Sequence, residues 1–456
     1  MATHADATSA VCLRIDLSDP SGRRQLEALR HMLASQGDMV SPAGRQRTID
    51  VFGSALTPRQ VVERICTDVR EKGIEAVLDY SRRIDGGKPT LADLFVPAEA
   101  LARAHAEADA GFLATIRRIR NRVELFQKAI LHRDVTVPLA GGGSLRQRYV
   151  PLDRIGVCVP GGAAAYPSTL LMTVVPAQVA GVQEIIVVAP PTRFGAENPH
   201  VLATCHELGI STVMRAGGAQ AVAAMAYGIE GLPRVDMIVG PGNLFVALAK
   251  EFVFGDVAID SIAGPSEIVV VADEEANAAF IAADMLAQAE HSPGSAILLT
   301  ASPALADRVA DAVTTQLAVL ERADLTRDSL AQFGAIVLTG SDDESAGLAN
   351  ELAPEHLSIE TRDPQATLAK IRHAGAAFLG PWSPVAAGDY AAGPSHVLPT
   401  GGTARFAAGL SANHFLRSGS VIDLTREDLA EMAADIMLLA DVEGLTAHRR
   451  SVDARL

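Results

Sequence analysis

The chain of 456 residues is 48% hydrophobic and only 4% aromatic, a balance typical of α/β proteins rather than all-β ones. Its net charge of −15, from 54 acidic and 39 basic residues, argues against a nucleic-acid partner, because phosphate-backbone binders concentrate Lys and Arg on one face. The four cysteines, Cys12, Cys66, Cys158 and Cys205, form no C-x-x-C pair. No disulfide framework or cysteine zinc site is expected, and any metal must use N and O ligands.

The opening MATHADATSAVCLRIDLSDP places Asp and His where an export signal needs a basic segment and an apolar core. After this N-terminal dozen, expected to be disordered, SGRRQLEALRHML sets Leu26, Leu29 and Leu33 on one face of an amphipathic helix. From TPRQ to about residue 134 the pattern is helical, with a break at Gly86 and Gly87. The period then changes. RIGVCVPGG, EIIVVAPP, STVMRAGG, VDMIVGPGN and SEIVVVAD are short β-branched runs, and helical segments separate the first four. That alternation predicts a parallel sheet covered by helices. A second set follows with AAFIAADMLAQAEH, SAILLTA, AIVLTG, LSIET and AAFLG, giving two α/β units that meet near residue 267. The tail from Thr425 opens on a capping-box pattern, TRED, and continues as helices. The most apolar stretch, TLLMTVVPAQVAGV, is interrupted by Pro176 and Gln178 and falls short of the ~20 residues that span a bilayer. No membrane partner and a cytoplasmic location are expected.

Ligands of such sheets bind where strand ends meet helix starts. VPGG (159–162), AGGAQ (216–220) and GPGN (240–243) fall at such places. Their N–H groups can approach a phosphate or carboxylate, or the turns serve sheet geometry alone. In QAEH, Gln288 and His291 are three apart on one helix face, with Glu290 pointing elsewhere. Such a pair can grip a metal ion or a substrate, or it is an ordinary polar helix end. Similar acid and imidazole pairs recur: Glu355 and His356 in APEHL, Asp389 and His396 in the Gly/Pro-rich GDYAAGPSHVLPT loop, and Glu443 and His448 on the terminal helix. One amide, two imidazoles and one carboxylate would suit Zn²⁺ or a similar ion.

Together the segments VPGGAAAYPSTLLM, GGAQAVAAMAYG, VDMIVGPGN, AIDSIAGPSEIVVVAD, AQAEH, NELAPEHLSIE, GDYAAGPSHVLPTGGTARF and EGLTAH resemble the histidinol dehydrogenase family, from about residue 50 to the C-terminus. The resemblance implies two Rossmann-like, aldehyde-dehydrogenase-like parallel-sheet units with small helical appendages. These divide into an N-terminal appendage (1–52), a first part of the catalytic domain (53–136) and a second α/β domain with the NAD-contacting turns (137–267). The remainder of the catalytic domain (268–408) and a C-terminal helical dimerisation segment (409–456) complete the chain. It further implies a zinc enzyme that uses two NAD⁺ in succession to oxidise L-histidinol to L-histidine through an aldehyde.

By motif, the zinc ligands implied are Gln288, His291, Asp389 and His448. Ser266, His396 and Glu443 join these four and Glu355 as substrate contacts. His356 is implied as the general base for the hydroxyl proton, and Glu355 as the group that activates the water adding to the aldehyde. Gln220, Asn243 and the position of Cys158 are implied as NAD contacts. The family usually carries Tyr where Cys158 stands, and altered NAD binding is expected from the change. A homodimer is implied in which the C-terminal helices complete the partner's site.

Two other readings compete. Cys158 as a thiolate nucleophile needs a base that the neighbouring sequence lacks, and a thiol ending a buried strand is usually inert. A zinc or nucleotide-binding protein without catalysis has no use for both Glu355 and His356. Relatives that oxidise other small alcohols with the same machinery remain a variant of the first reading.

Overall fold

A computed structural model describes residues 11–34, 42–86, 88–162, 164–262, 264–291 and 293–456. Gly87 and the disorder expected of residues 1–10 lie outside the described residues. The strands are Leu13–Asp16 (β1), Val135–Pro138 (β2), Ser144–Pro151 (β3), Arg154–Cys158 (β4), Glu184–Ala189 (β5), Thr212–Arg215 (β6) and Met237–Val239 (β7). They continue as Ala258–Ile259 (β8), Ser266–Ala272 (β9), Gly294–Thr300 (β10), Gly334–Leu338 (β11), His356–Glu360 (β12), Ala376–Leu379 (β13) and Leu416–Asp423 (β14).

They form three sheets. A five-stranded parallel sheet runs β6-β5-β4-β7-β8, a six-stranded parallel sheet runs β1-β11-β10-β9-β12-β13, and a small antiparallel sheet runs β14-β3-β2. The β-branched runs are mostly buried, and every residue of β7 and β10 is inside, as parallel strands covered on both faces require. Close approach of helix and sheet needs a glycine at one point. A Cβ on Gly156 of β4 would meet Sδ of Met225, on the Gly218–Tyr227 helix, at 2.3 Å.

Both parallel sheets have the doubly wound order. In the first, the chain leaves β4 for β5 and β6 on one side and returns to β7 and β8 on the other, so the switch point lies between β4 and β7. In the second it lies between β9 and β12. The strand carrying Ile259 ends seven residues before Ser266 begins β9, so an extended chain of ~3.5 Å per residue keeps the carboxyl edge of one sheet within about 25 Å of the amino edge of the other.

Three features depart from the sequence reading. The N-terminal appendage is not only helical, because β1 extends the six-stranded sheet in parallel beside β11 and buries Ile15 completely. The helices of 53–136, expected beside the catalytic unit, pack chiefly on the five-stranded unit: Val61, Val62, Ile65 and Val77 share a core with Met225 and Ile238. The antiparallel sheet was unforeseen, and it makes the C-terminal segment begin with a strand, β14, before its helices. Its strands read as polar because they are mostly exposed or half-buried.

The C-terminal arm is tied to this sheet through one carboxylate. Asp428, 1% exposed, closes the expected capping box with Thr425 at the start of the Arg426–Val442 helix. It also accepts the N–H groups of Gly141 at 2.7 Å and Gly143 at 2.8 Å in the β2–β3 turn.

Another carboxylate ties three helices. Glu207, ending Pro199–Glu207, accepts two bonds from Arg117 of Ala110–Ile130, at 2.9 and 2.8 Å, and faces His105 of Ala98–Glu107 at 2.8 Å. The Arg117 fork holds its pKa at about 2, below the ordinary 4.5, against the opposing effect of burial. A depressed carboxylate stabilises the fold above its ordinary pKa and loses that contribution as pH falls through the depressed value. Glu207→Gln should therefore lower stability by about 1–2 kcal/mol at pH 7. In denaturant titrations the difference from wild type should shrink steadily between about pH 4.5 and pH 2; a constant difference would exclude this linkage.

Candidate active site

Catalytic candidates gather at the amino ends of the six-stranded sheet, not at the carboxyl ends. His356 is the first residue of β12, Glu355 precedes it, and Ser266 opens the adjacent β9. The Ala278–Ala289 helix leads back to the same end before β10 and carries Gln288 on its last turn, but it ends before His291, which lies exposed just beyond it and not on a shared helix face as the spacing predicted. Asp389 lies in the short Val385–Tyr390 helix rather than in a loop, and His396 follows in the Gly/Pro-rich segment.

Parallel pairing of β9 with β12 supplies the central geometry, because His356 stands opposite Ile268 in register. That brings the Glu267 peptide between the two catalytic candidates. Its N–H donates to Glu355 Oε2 at 2.9 Å, and its C=O is 3.1 Å from His356 Nδ1. A carbonyl only accepts, so Nδ1 carries the proton and Nε2 is the nitrogen available for acid–base work. Nε2 lies 3.5 Å from Asp389 Oδ1. Asp389 in turn uses its backbone carbonyl to hold His396 Nδ1 at 2.9 Å.

Burial sets the electrostatics. Glu355 and Glu267 are both pushed up to about 7 by desolvation. Desolvation pulls His356 down, but Glu355 and Asp389 outweigh it and raise the imidazole to about 9. Asp389 is also resisted by burial, yet its contact with His356 leaves it below the ordinary carboxylate range. His396 and His291 are lowered, chiefly by burial. For His291 this reflects the protein mass beneath it, because the residue surface itself is open to solvent.

Two buried polar atoms in this cluster have no partner: Gln288 Nε2 and His396 Nε2. Gln288 is 1% exposed, and an unpaired amide in such a place costs about 1–3 kcal/mol. An amide oxygen, an imidazole and a carboxylate would together make a donor set suited to a borderline-soft divalent ion.

The predicted set is incomplete within one chain. Among the described residues no group of three or more His, Cys, Asp or Glu stands together as a metal site. His448 and Glu443 are exposed on the C-terminal arm. They do not share a helix, contrary to the sequence reading: Glu443 caps Arg426–Val442, Gly444 turns with φ +71, and His448 belongs to Thr446–Asp453. That last helix packs chiefly on the preceding one, so the arm's residues are not brought to Gln288 and Asp389.

The expected cofactor contacts lie at the carboxyl edge of the five-stranded sheet. Cys158 ends β4, the 240–243 turn follows β7, and Gln220 sits in the first turn of the Gly218–Tyr227 helix after β6. Gln220 is 1% exposed, reaches Asp85 with Nε2 at 3.3 Å, and leaves Oε1 unpaired. Asn243 commits Oδ1 to capping the Leu244–Val253 helix. The Cys158 thiol is buried and pushed up to about 12 by desolvation, which removes the thiolate-nucleophile reading. The two edges touch directly, since Ser395 Oγ donates at 2.8 Å to the Met172 carbonyl in the Pro167–Ala180 helix.

Sequence reasoning missed Glu267, whose peptide positions both catalytic candidates and whose carboxylate accepts the Gly401 N–H at 2.9 Å. Its only signal was adjacency to Ser266. It also missed the half-buried Asp284, raised by desolvation to about 6, and the buried Glu360 at the far end of β12, raised to about 7.

A buried acid–imidazole pair at the amino edge of one doubly wound sheet, with glycine-rich turns at the carboxyl edge of another, is the layout of an α/β enzyme. The family model for histidinol dehydrogenase matches residues 54–456, and the chain belongs to the histidinol dehydrogenase family. It is 61% identical to the histidinol dehydrogenase of Rhodopirellula baltica over 444 residues, covering 97% of this chain and 96% of that one. It is 47% identical to that of Halalkalibacterium halodurans over 399 residues, covering 87% and 94%. The crystal structure of histidinol dehydrogenase from Elizabethkingia anophelis superposes with a TM-score of 0.87 at 30% identity, covering 98% of each chain.

A metal ion would be held through the Gln288 carbonyl oxygen, Oε1, and the buried Nε2 that has no partner burdens the metal-free fold. Gln288→Leu should then raise the stability of the chelator-treated protein by about 1 kcal/mol while abolishing retention of zinc. Thermal unfolding with and without the ion reads both effects. A less stable metal-free variant would mean that the amide is structural.

Proposed function

We propose that this enzyme oxidises L-histidinol to L-histidine through the aldehyde with NAD⁺, closing histidine biosynthesis, and that it needs one zinc ion per subunit. The observation that carries the reading is the buried contact of His356 with both Glu355 and Asp389, at the sheet edge where the elements carrying Gln288 and His291 also end. The 61% identity to a histidinol dehydrogenase over nearly the whole chain supports the substrate.

Gln288, His291 and Asp389 would hold the ion, with His448 supplied by a second copy of the chain. When bound, zinc supplies Lewis acidity toward the substrate oxygen and offsets the Asp389 charge that helps hold the His356 proton, while NAD⁺ supplies the hydride acceptor. His356 receives the hydroxyl proton at Nε2, its Nδ1–H kept in place by the Glu267 carbonyl. Glu355, raised to about 7 and oriented by the Glu267 N–H, takes a proton from the water that adds to the aldehyde. Two groups set apart by environment thus serve two successive proton transfers. Ser266, His396 and Glu443 contact the amino alcohol, and Cys158, Gln220 and Asn243 border the dinucleotide.

The homodimer reading rests on the arm. Leu438, Leu439 and Val442 are 63%, 61% and 76% exposed on one helix, an apolar surface that a solvent-facing helix end does not need.

The first experiment is NAD⁺ reduction with L-histidinol before and after chelation, counting NADH per substrate. Two NADH per histidinol, lost on chelation and restored by zinc, is the expected result. No reduction despite bound zinc would move the reading to another small alcohol. Site sharing predicts complementation: co-expressing His356→Asn with His448→Ala, each inactive alone, should restore about a quarter of wild-type sites. No recovery would place both residues in one chain's site.

A further inference from the structure

Lys250 is among the largest fully buried side chains of the described residues, 1% exposed within the Leu244–Val253 helix, whose one other charged residue is Glu251. It forms an ion pair with Asp260, whose side chain is 3% exposed. The pair encloses one peptide unit of the turn after β7. Asp260 Oδ2 accepts the Gly240 N–H at 2.7 Å, and Lys250 Nζ donates to the Gly240 carbonyl at 3.1 Å. Asp260 also accepts the Ser261 N–H at 2.7 Å through Oδ1. Gly240 has φ +100, and a Cβ there would meet the Cys158 carbonyl at 2.4 Å, so the turn passes directly over the end of β4, at the switch point.

A buried ion pair is an expensive way to fill space, because well-packed apolar residues of similar size are often at least as stabilising. What it supplies here is direction. An unrestrained Gly240 carbonyl could turn toward the crevice, where it would repel an arriving phosphate. With the carbonyl drawn inward by Lys250 and the N–H tied to Asp260, the N–H groups that remain in the turn are those of Gly242 and Asn243, at the start of a helix. Asp260 is also the first residue after β8, on the segment that leads to Ser266. The same carboxylate therefore fixes the turn at one sheet edge and the chain that enters the other.

We propose that Lys250 and Asp260 are positioning residues for the dinucleotide: their buried pair locks both hydrogen-bonding groups of Gly240 so that the 240–243 turn presents N–H donors to a pyrophosphate. The inference rests on the NAD⁺ reading above. It assigns the pair no contact with substrate and no part in proton transfer.

The test is the double variant Lys250→Met with Asp260→Asn, which removes both charges while keeping volume and a hydrogen-bonding side chain below Gly240. NAD⁺ binding is measured by calorimetry on the zinc-loaded, full-length protein, together with KM for both substrates and zinc content. A folded variant should bind NAD⁺ about ten-fold or more weakly, with KM for NAD⁺ raised to match and KM for histidinol and zinc content within about two-fold of wild type. Unchanged NAD⁺ binding in a folded variant overturns the proposal, as does an equal rise in both KM values, which marks a general structural role. If the double variant does not fold, Asp260→Asn alone carries the same expectations. Failure of wild-type protein to bind NAD⁺ would instead overturn the cofactor reading, so the two failures are distinguishable.

Discussion

The parallel pairing of β9 with β12 is the constraint on which the site depends. It joins segments nearly ninety residues apart and leaves the Glu267 peptide between Glu355 and His356, holding one by its N–H and the other by its carbonyl. A slip of one residue would turn His356 away from its present face and exchange the polar contacts for apolar ones. The relative orientation of Glu355 and His356 is therefore set by sheet register, which many buried contacts enforce, rather than by the conformational preferences of two side chains.

That arrangement concentrates cost in a small volume. Glu267 and Glu355 both resist ionisation where they stand, Gln288 and His396 keep unpaired nitrogens, and Ala353, just before the Pro354–Glu355 step, is the single non-glycine residue with positive φ among those described. Clustering of strain and unsatisfied polar groups is what a site prepared for a ligand shows, and the rest of the core compensates for it. The fully buried β7 and β10 show where that compensation comes from.

Much of the fold was legible because β-branched runs alternating with helical periods are a strong signal, as in EIIVVA and SEIVVVA. The antiparallel sheet was not, since SLRQRYVP offers no buried face to read. Among the candidate site residues, Glu355 and His356 could be paired from adjacency, whereas the helix spacing of Gln288 and His291 did not foresee that the helix ends at Ala289. The contact of His356 with Asp389 was expected only from resemblance, because it depends on how separate elements return to one sheet edge. Placing Glu443 and His448 on one helix overlooked Gly444, which breaks it. Lys250 carried a signal that passed unused: a single cation in LFVALAKEFV has to find a buried partner.

The carboxylate of Asp428 gives the C-terminal arm a mechanical character. Because it binds the start of the arm's helix and both flanks of the 141–143 turn at once, the arm leaves the body as a stiff strut rather than a tether. A flexible tail that docks on another molecule must surrender its freedom on arrival, and the association constant is reduced accordingly. Here that ordering is completed during folding of the single chain, so the proposed dimer would form from arms that are already aimed.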